Sequence, residues 1–190
     1  MKNFYIADTH FGHYNIIRLC HRPFQTLDEM DQTIIKNWNQ AVSDEDTVYI
    51  LGDVSFSKNS KSPDEYMNKL HGRKIIIVGN HDYDISKSRQ RYLRQKIASG
   101  IYDYLEIKDE LNGELKKIVL SHYPILEWNG FFRGSIHLYG HIHNNTENQT
   151  SKIMQKIDNA YNVGADILDF TPRTLDEVIE YNKKFSLSHQ

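Results

Sequence analysis

Cys20 is the only cysteine among the 190 residues. That excludes an intrachain disulfide and any metal site built from clustered thiolates. No stretch approaches the ~20 apolar residues of a membrane span. The apolar run before Asp8 is too short for the core of a signal peptide. A cytoplasmic, reducing setting is therefore expected, with no membrane partner. An excess of one charge sign is also missing: the formal net charge is -2, which gives no sign of an obligate nucleic-acid partner. There is no internal repeat, low-complexity tract or linker rich in Gly, Pro and Ser. Residues 1–190 suit one domain with a substantial core.

Histidine is the unusual count, with ten in the chain. His21, His71, His137 and His189 read as ordinary surface or core residues. The other six, His10, His13, His81, His122, His141 and His143, stand beside Gly, Asp or Asn near the ends of apolar runs.

Those runs are Phe4–Ala7, Thr47–Leu51, Lys74–Val78, Lys117–Leu120 and Ser135–Tyr139. They alternate with helical patterns, which points to an α/β or layered αββα domain. Leu27 to Gln40 carries apolar residues at helical spacing. Ser62-Pro63 opens a second helix running toward Leu70, and Ser86 to Ala98 reads as a polar, basic third. Asn112-Gly113 between Tyr102–Lys108 and Glu114–Leu120 is a hairpin signal. Thr174 with Glu177 forms a capping box for a last helix ending near Phe185.

A side chain able to bind metal follows each run: Asp8-Thr9-His10, Gly52-Asp53, Gly79-Asn80-His81-Asp82, Ser121-His122 and Gly140-His141-Ile142-His143. The carboxyl ends of strands are where α/β sheets bind ligands. Asp8/His10 and His141/His143 are i, i+2 pairs, which in extended backbone aim two side chains to one side. Glycines before Asp53, Asn80 and His141 permit close backbone approach. Carboxylate, imidazole and carboxamide donors without thiolate suit Mn²⁺, Fe, Zn²⁺, Co²⁺ or Ni²⁺. Seven donors exceed the three protein ligands usual for one catalytic zinc. They fit two ions ~3.5–4 Å apart that share a carboxylate.

The order DTH, GD, GNHD, SH, GHIH resembles the calcineurin-like metallophosphoesterase superfamily. DTHFGHYNIIRLCHRPF, DEMDQTIIKNWN, VYILGDVSF, SHYP and HLYGHIHNN are similar to its small single-domain bacterial and phage branch. The resemblance runs from Asp8 to Val163-Gly164. It implies a four-layer αββα sandwich of the α/β (α+β) class and two divalent ions, Mn foremost. Asp8, His10, Asp53 and His143 would hold one ion, and Asp53, Asn80, His122 and His141 the other, with Asp53 bridging. His81 matches the non-ligand histidine that meets the phosphate and assists the leaving group. The implied reaction is direct hydrolysis of a phosphodiester or phosphomonoester by a water acidified between the ions. The substrate is a phosphate ester, with nucleotides among the candidates.

Other roles stay open between two readings. His13 and Arg22 are candidates to touch substrate; a supporting or helix-start role competes for His13, and a surface or packing role for Arg22. Asp82 either orients His81 or caps the following helix. The basic stretch Lys87 to Lys96 is read as a solvated helix face ahead of a polyanion site. Tyr123, Trp128, Phe131 and Phe132 form either an aromatic rim or a buried cluster. Two competing functions are a nuclease, disfavoured by the missing basic surface, and a non-catalytic scaffold, disfavoured by the complete ligand set.

Overall fold

The computed structural model describes residues 1–56 and 62–188; His189 lies outside them. Four short parallel strands form the first sheet in chain order: β1 (Asn3–Ile6), β2 (Thr47–Ile50), β3 (Arg73–Ile77) and β4 (Gly100–Tyr102). The crossovers carry α1 (Tyr14–Leu19), α2 (Leu27–Ala41), α3 (Pro63–Met67), α4 (Tyr83–Lys87) and α5 (Arg89–Arg94). Strands taken in sequence with crossovers of one hand put every helix on the same face. Accordingly Ile16, Met30, Ile34, Trp38, Tyr66, Met67, Ile85 and Tyr92 from these helices pack with Phe4, Ile6, Val48, Ile50 and Ile76.

The other face of that sheet needs a cover, which the second sheet supplies. It contains β5 (Tyr104–Leu111), β6 (Glu114–Ser121), β7 (Ile136–Tyr139) and β8 (Ala160–Asn162) in that order. Tyr5, Tyr49, Leu51 and Ile77 meet Ile118, Leu120, Ile136 and Leu138 across the gap. α6 (Gln149–Met154) and α7 (Leu175–Ser188) complete the chain, and Leu175 and Val178 of α7 enter the core between the sheets. Two sheets flanked by helices give the expected sandwich. Among the described residues no helix is long and apolar enough to cross a membrane.

The local signals act as read. Thr174 N–H and Oγ1–H both donate to Glu177 Oε2, and α2 gains a cap not foreseen from the sequence, Thr26 accepting the Glu29 N–H. Asn112 and Gly113 turn the β5–β6 hairpin with φ of 51° and 81°, the pair of positive values a type I′ turn demands. One helix differs. Residues 86–98 are not continuous, because Ser88 ends α4 and begins α5, a place where serine competes with helical hydrogen bonding. Two of the three arginines of that stretch pair with acidic groups of their own protein, Arg91 with Asp64 and Arg89 with Asp103, while Arg94 is exposed.

Candidate metal centre

The loops after β1, β2, β3, β6 and β7 meet at the carboxyl edge where the two sheets abut. Two glycines let them close. A Cβ on Gly52 would lie 2.7 Å from Gly79 Cα, and one on Gly140 would lie 2.6 Å from both Ala7 Cβ and Asp8 Oδ2. Asp82 then ties two loops together. Its Oδ2 accepts the N–H groups of Asp53 (2.8 Å) and Gly79 (2.9 Å), and its Oδ1 accepts that of Val54 (2.9 Å). Neither task expected of Asp82 is the one it performs: it makes no cap bond to α4.

Two groups of donors converge in the resulting hollow. Asp8, His10 and His143 form one, and Asp53, His122 and His141 the other, with ligand atoms in each group within 4.8 Å of one another. Asp53 Oδ2 lies between the groups, 3.6 Å from His10 Nε2 and 3.5 Å from His122 Nε2. Asn80 adds Oδ1 at 3.0 Å from His122 Nε2. All seven sequence-assigned donors are therefore gathered in one place.

The chemistry of this gathering calls for cations. His122 Nδ1 donates to the Leu51 carbonyl at 2.8 Å, so in the neutral ring Nε2 carries a lone pair. That lone pair faces two further acceptors, Asn80 Oδ1 and Asp53 Oδ2. Burial pulls the His122 pKa down, with Asp53 pulling it back only in part. Asp8 Oδ1 and His10 Nε2 are buried without any hydrogen-bond partner, a state native structures avoid. Burial also pushes the Asp8 carboxyl up to about 8 and holds the His10 imidazole well below its usual range. Unpaired lone pairs and a carboxylate reluctant to ionise both fit divalent ions on these residues.

The backbone differs from the extended form that the i, i+2 spacing suggests. Asp8, His10, Asp53, His141 and His143 have φ of 56°, 51°, 52°, 70° and 50°. Left-handed residues, not strand alternation, aim these side chains. Asn80 and His81 likewise sit in a turn. The His81 N–H donates to Asp53 Oδ1 at 2.8 Å, while its exposed ring stands edge-on to His10 and Phe56, 5.4 and 5.3 Å between centroids. His81 belongs to neither donor group.

A cleft of about 780 Å³ opens over the centre, lined by His81, His13, Phe56, Tyr123, Leu19 and Asn145 among others. His13 stacks on Phe56 at 4.2 Å and caps nothing at the start of α1, so it does lie at the site. Arg22 does not. Its guanidinium is buried and bonded to Asp166 and to the carbonyls of Asp8 and Thr9, which leaves no fork for a phosphate and corrects the expectation of substrate contact. The four aromatics divide. Tyr123 is half exposed against His141 in the cleft, Trp128 packs over His137 with Phe131 edge-on to the Trp128 ring, and Phe132 points outward. Asp166 was not foreseen. It accepts from His143 Nδ1 at 2.9 Å, yet no strand-end motif marks it in the sequence.

This arrangement brings together Asp and His groups that could hold metal ions. Residues 1–145 match the calcineurin-like phosphoesterase family, and the chain belongs to it. It is 36% identical over 184 residues to an uncharacterized protein of Methanocaldococcus jannaschii, covering 96% of this chain and 92% of that one. It is 26% identical over 161 residues to the gene 66 protein of Mycobacterium phage L5, covering 75% and 77%. The crystal structure of a protein of unknown function from Aquifex aeolicus aligns with a TM-score of 0.68 at 28% identity, covering 94% and 97%. By family the protein is a metal-dependent phosphoesterase.

Proposed function

We propose that the chain, acting as one domain in the cytoplasm, hydrolyses a phosphate ester at a two-ion centre. Asp8, His10, Asp53 and His143 hold one ion in this reading, and Asp53, Asn80, His122 and His141 the other. The observation that carries it is the place of Asp53 Oδ2, nearly equidistant from His10 and His122 at 3.6 and 3.5 Å. A carboxylate oxygen so placed is the natural bridge. The donor set suits Mn²⁺ first, with Fe, Zn²⁺, Ni²⁺ and Co²⁺ as alternatives.

Two bound divalent ions supply an acidified water and neutralise charge on the phosphate oxygens. The protein's own groups do the rest. Asp82 and the paired glycines fix the loops, so the ligands need not reorganise during the reaction. His81, exposed beside both donor groups and held by its backbone bond to Asp53, is placed to hydrogen-bond the phosphate and pass a proton to the departing oxygen. Phe56 and Tyr123 line the cleft beside the donor groups, which supports a substrate with a planar substituent, such as a nucleotide. Diesters are expected to react at least as well as monoesters.

The test is metal analysis with turnover of nitrophenyl esters in the presence and absence of Mn²⁺. The wild type is expected to hold two equivalents and to need them, and Asp53→Ala to lose both. An Asp53→Ala protein with two equivalents and normal turnover would refute the bridge; a strong monoester preference would reverse the diester assignment.

A further inference from the structure

Arg22 and Asp166 form an ion pair with side chains 0% and 2% exposed. Arg22 Nε reaches Asp166 Oδ1 at 2.8 Å and Nη2 reaches Oδ2 at 3.1 Å. The same guanidinium donates to the Asp8 carbonyl at 2.7 Å and the Thr9 carbonyl at 3.0 Å. Asp8 and His10, on either side of Thr9, both hold positive φ. A non-glycine residue stays in that region only when its surroundings fix it, and two arginine bonds to the intervening carbonyls do so. From its other side the pair reaches the third ligand: Asp166 Oδ2 accepts the His143 Nδ1 hydrogen, which leaves the His143 Nε2 lone pair for a cation.

One ion pair thus touches the backbone or ring of Asp8, His10's neighbour and His143. The other group is anchored elsewhere, Asp53 through Asp82 and His122 through the Leu51 carbonyl. We propose that Arg22–Asp166 is the positioning pair of the first metal site, setting the affinity of the Asp8/His10/His143 group while leaving the Asn80/His122/His141 group unaffected. Asp166 follows β8, beyond residue 145 where the family match ends, so this segment becomes part of the centre. The inference rests on the two-ion reading above.

The experiment is calorimetric titration of the metal-stripped chain with Mn²⁺, with folding followed by circular dichroism. Asp166→Asn removes the charge that Arg22 needs. Because a lone buried guanidinium can prevent folding, the charge-neutral double variant Arg22→Gln/Asp166→Asn is measured beside it. In whichever variants fold, one equivalent is expected to weaken by ~10–100-fold while the other keeps its wild-type affinity. A purely structural role would not produce a loss confined to one site. Two unchanged equivalents, or equal weakening of both, overturns the proposal. A wild type that takes up fewer than two ions instead refutes the two-ion reading itself.

Discussion

Replacing Gly79 by alanine tests how tightly the centre is built. The added Cβ would fall inside contact distance of Asp53 Oδ1, 2.6 Å from the Asp53 backbone nitrogen and 3.0 Å from His122 Cε1. Ordinary contact begins at 3.4 Å, so the two loops must part by about 0.8 Å. They cannot do so freely, because the Asp82 carboxylate holds Asp53 N–H and Gly79 N–H at 2.8 and 2.9 Å. Either those bonds break or the Asp53 side chain swings, which also strains its bond from His81 N–H. A displacement near 1 Å in a preorganised site costs on the order of 10²-fold in rate. Gly79→Ala should therefore lower kcat/KM by about that factor and weaken both ions together if Asp53 bridges them as proposed. Metal content by mass spectrometry and steady-state kinetics on a nitrophenyl diester give the readout. A variant with two tightly held ions and a rate within a few-fold of wild type would show that the loops yield, and the argument from close packing would fail.

His81→Ala should keep both ions and the fold, yet lose ~10²–10⁴-fold in turnover, with a smaller loss for nitrophenyl leaving groups that need little protonation; metal loss would make His81 a ligand. His137 provides a pH test remote from the metals. Burial, which outweighs its bond to the Val119 carbonyl, holds its pKa at about 4 instead of 6.5. Only the unfolded chain then takes a proton on this group between pH 6.5 and 4. The stability that His137 confers is complete above 6.5 and falls by about 3 kcal/mol as pH drops to 4. Urea unfolding of the metal-stripped wild type and His137→Gln should diverge across that window, and parallel profiles would contradict it.

Which features could be read from sequence follows from how local their causes are. The strand ends, α2, the Asn112-Gly113 hairpin and the Thr174 cap depend on neighbours within a few residues, and all are where they were expected. β4 and β8 are three-residue strands, too short to show a period of two, and their pairing is decided by partners distant in the chain. Of the two readings open for Arg22, the fold keeps the packing one. A lone arginine in a polar segment looks free to meet phosphate, but its partner Asp166 lies 144 residues away and makes it a buried structural group. Asp166 has the same problem in reverse, since nothing in VGADILDF distinguishes it from Asp169.

The i, i+2 pairs reached the right place by the wrong geometry, and the reason bears on why the motif is so readable. Five of the seven donor residues, Asp8, His10, Asp53, His141 and His143, adopt left-handed backbone. Most side chains disfavour that conformation by ~1–2 kcal/mol, and five such residues would together rival the ~5–15 kcal/mol net stability of a domain. Asp, Asn and His are several-fold enriched there, and they are also the residue types that ligate borderline divalent ions. Two independent demands, a tight left-handed turn at a strand end and a hard-to-borderline donor at the same position, thus select the same few amino acids. Leu or Val would fail both demands, and glycine would satisfy the turn while offering no donor. The short polar signatures after β1, β2 and β7 are therefore over-determined by conformation as well as by coordination. Part of the conformational cost is met within the chain by Arg22, Asp82 and the paired glycines. The orphaned Asp8 Oδ1 and His10 Nε2 are left for whatever binds in the hollow, and bound cations fit them.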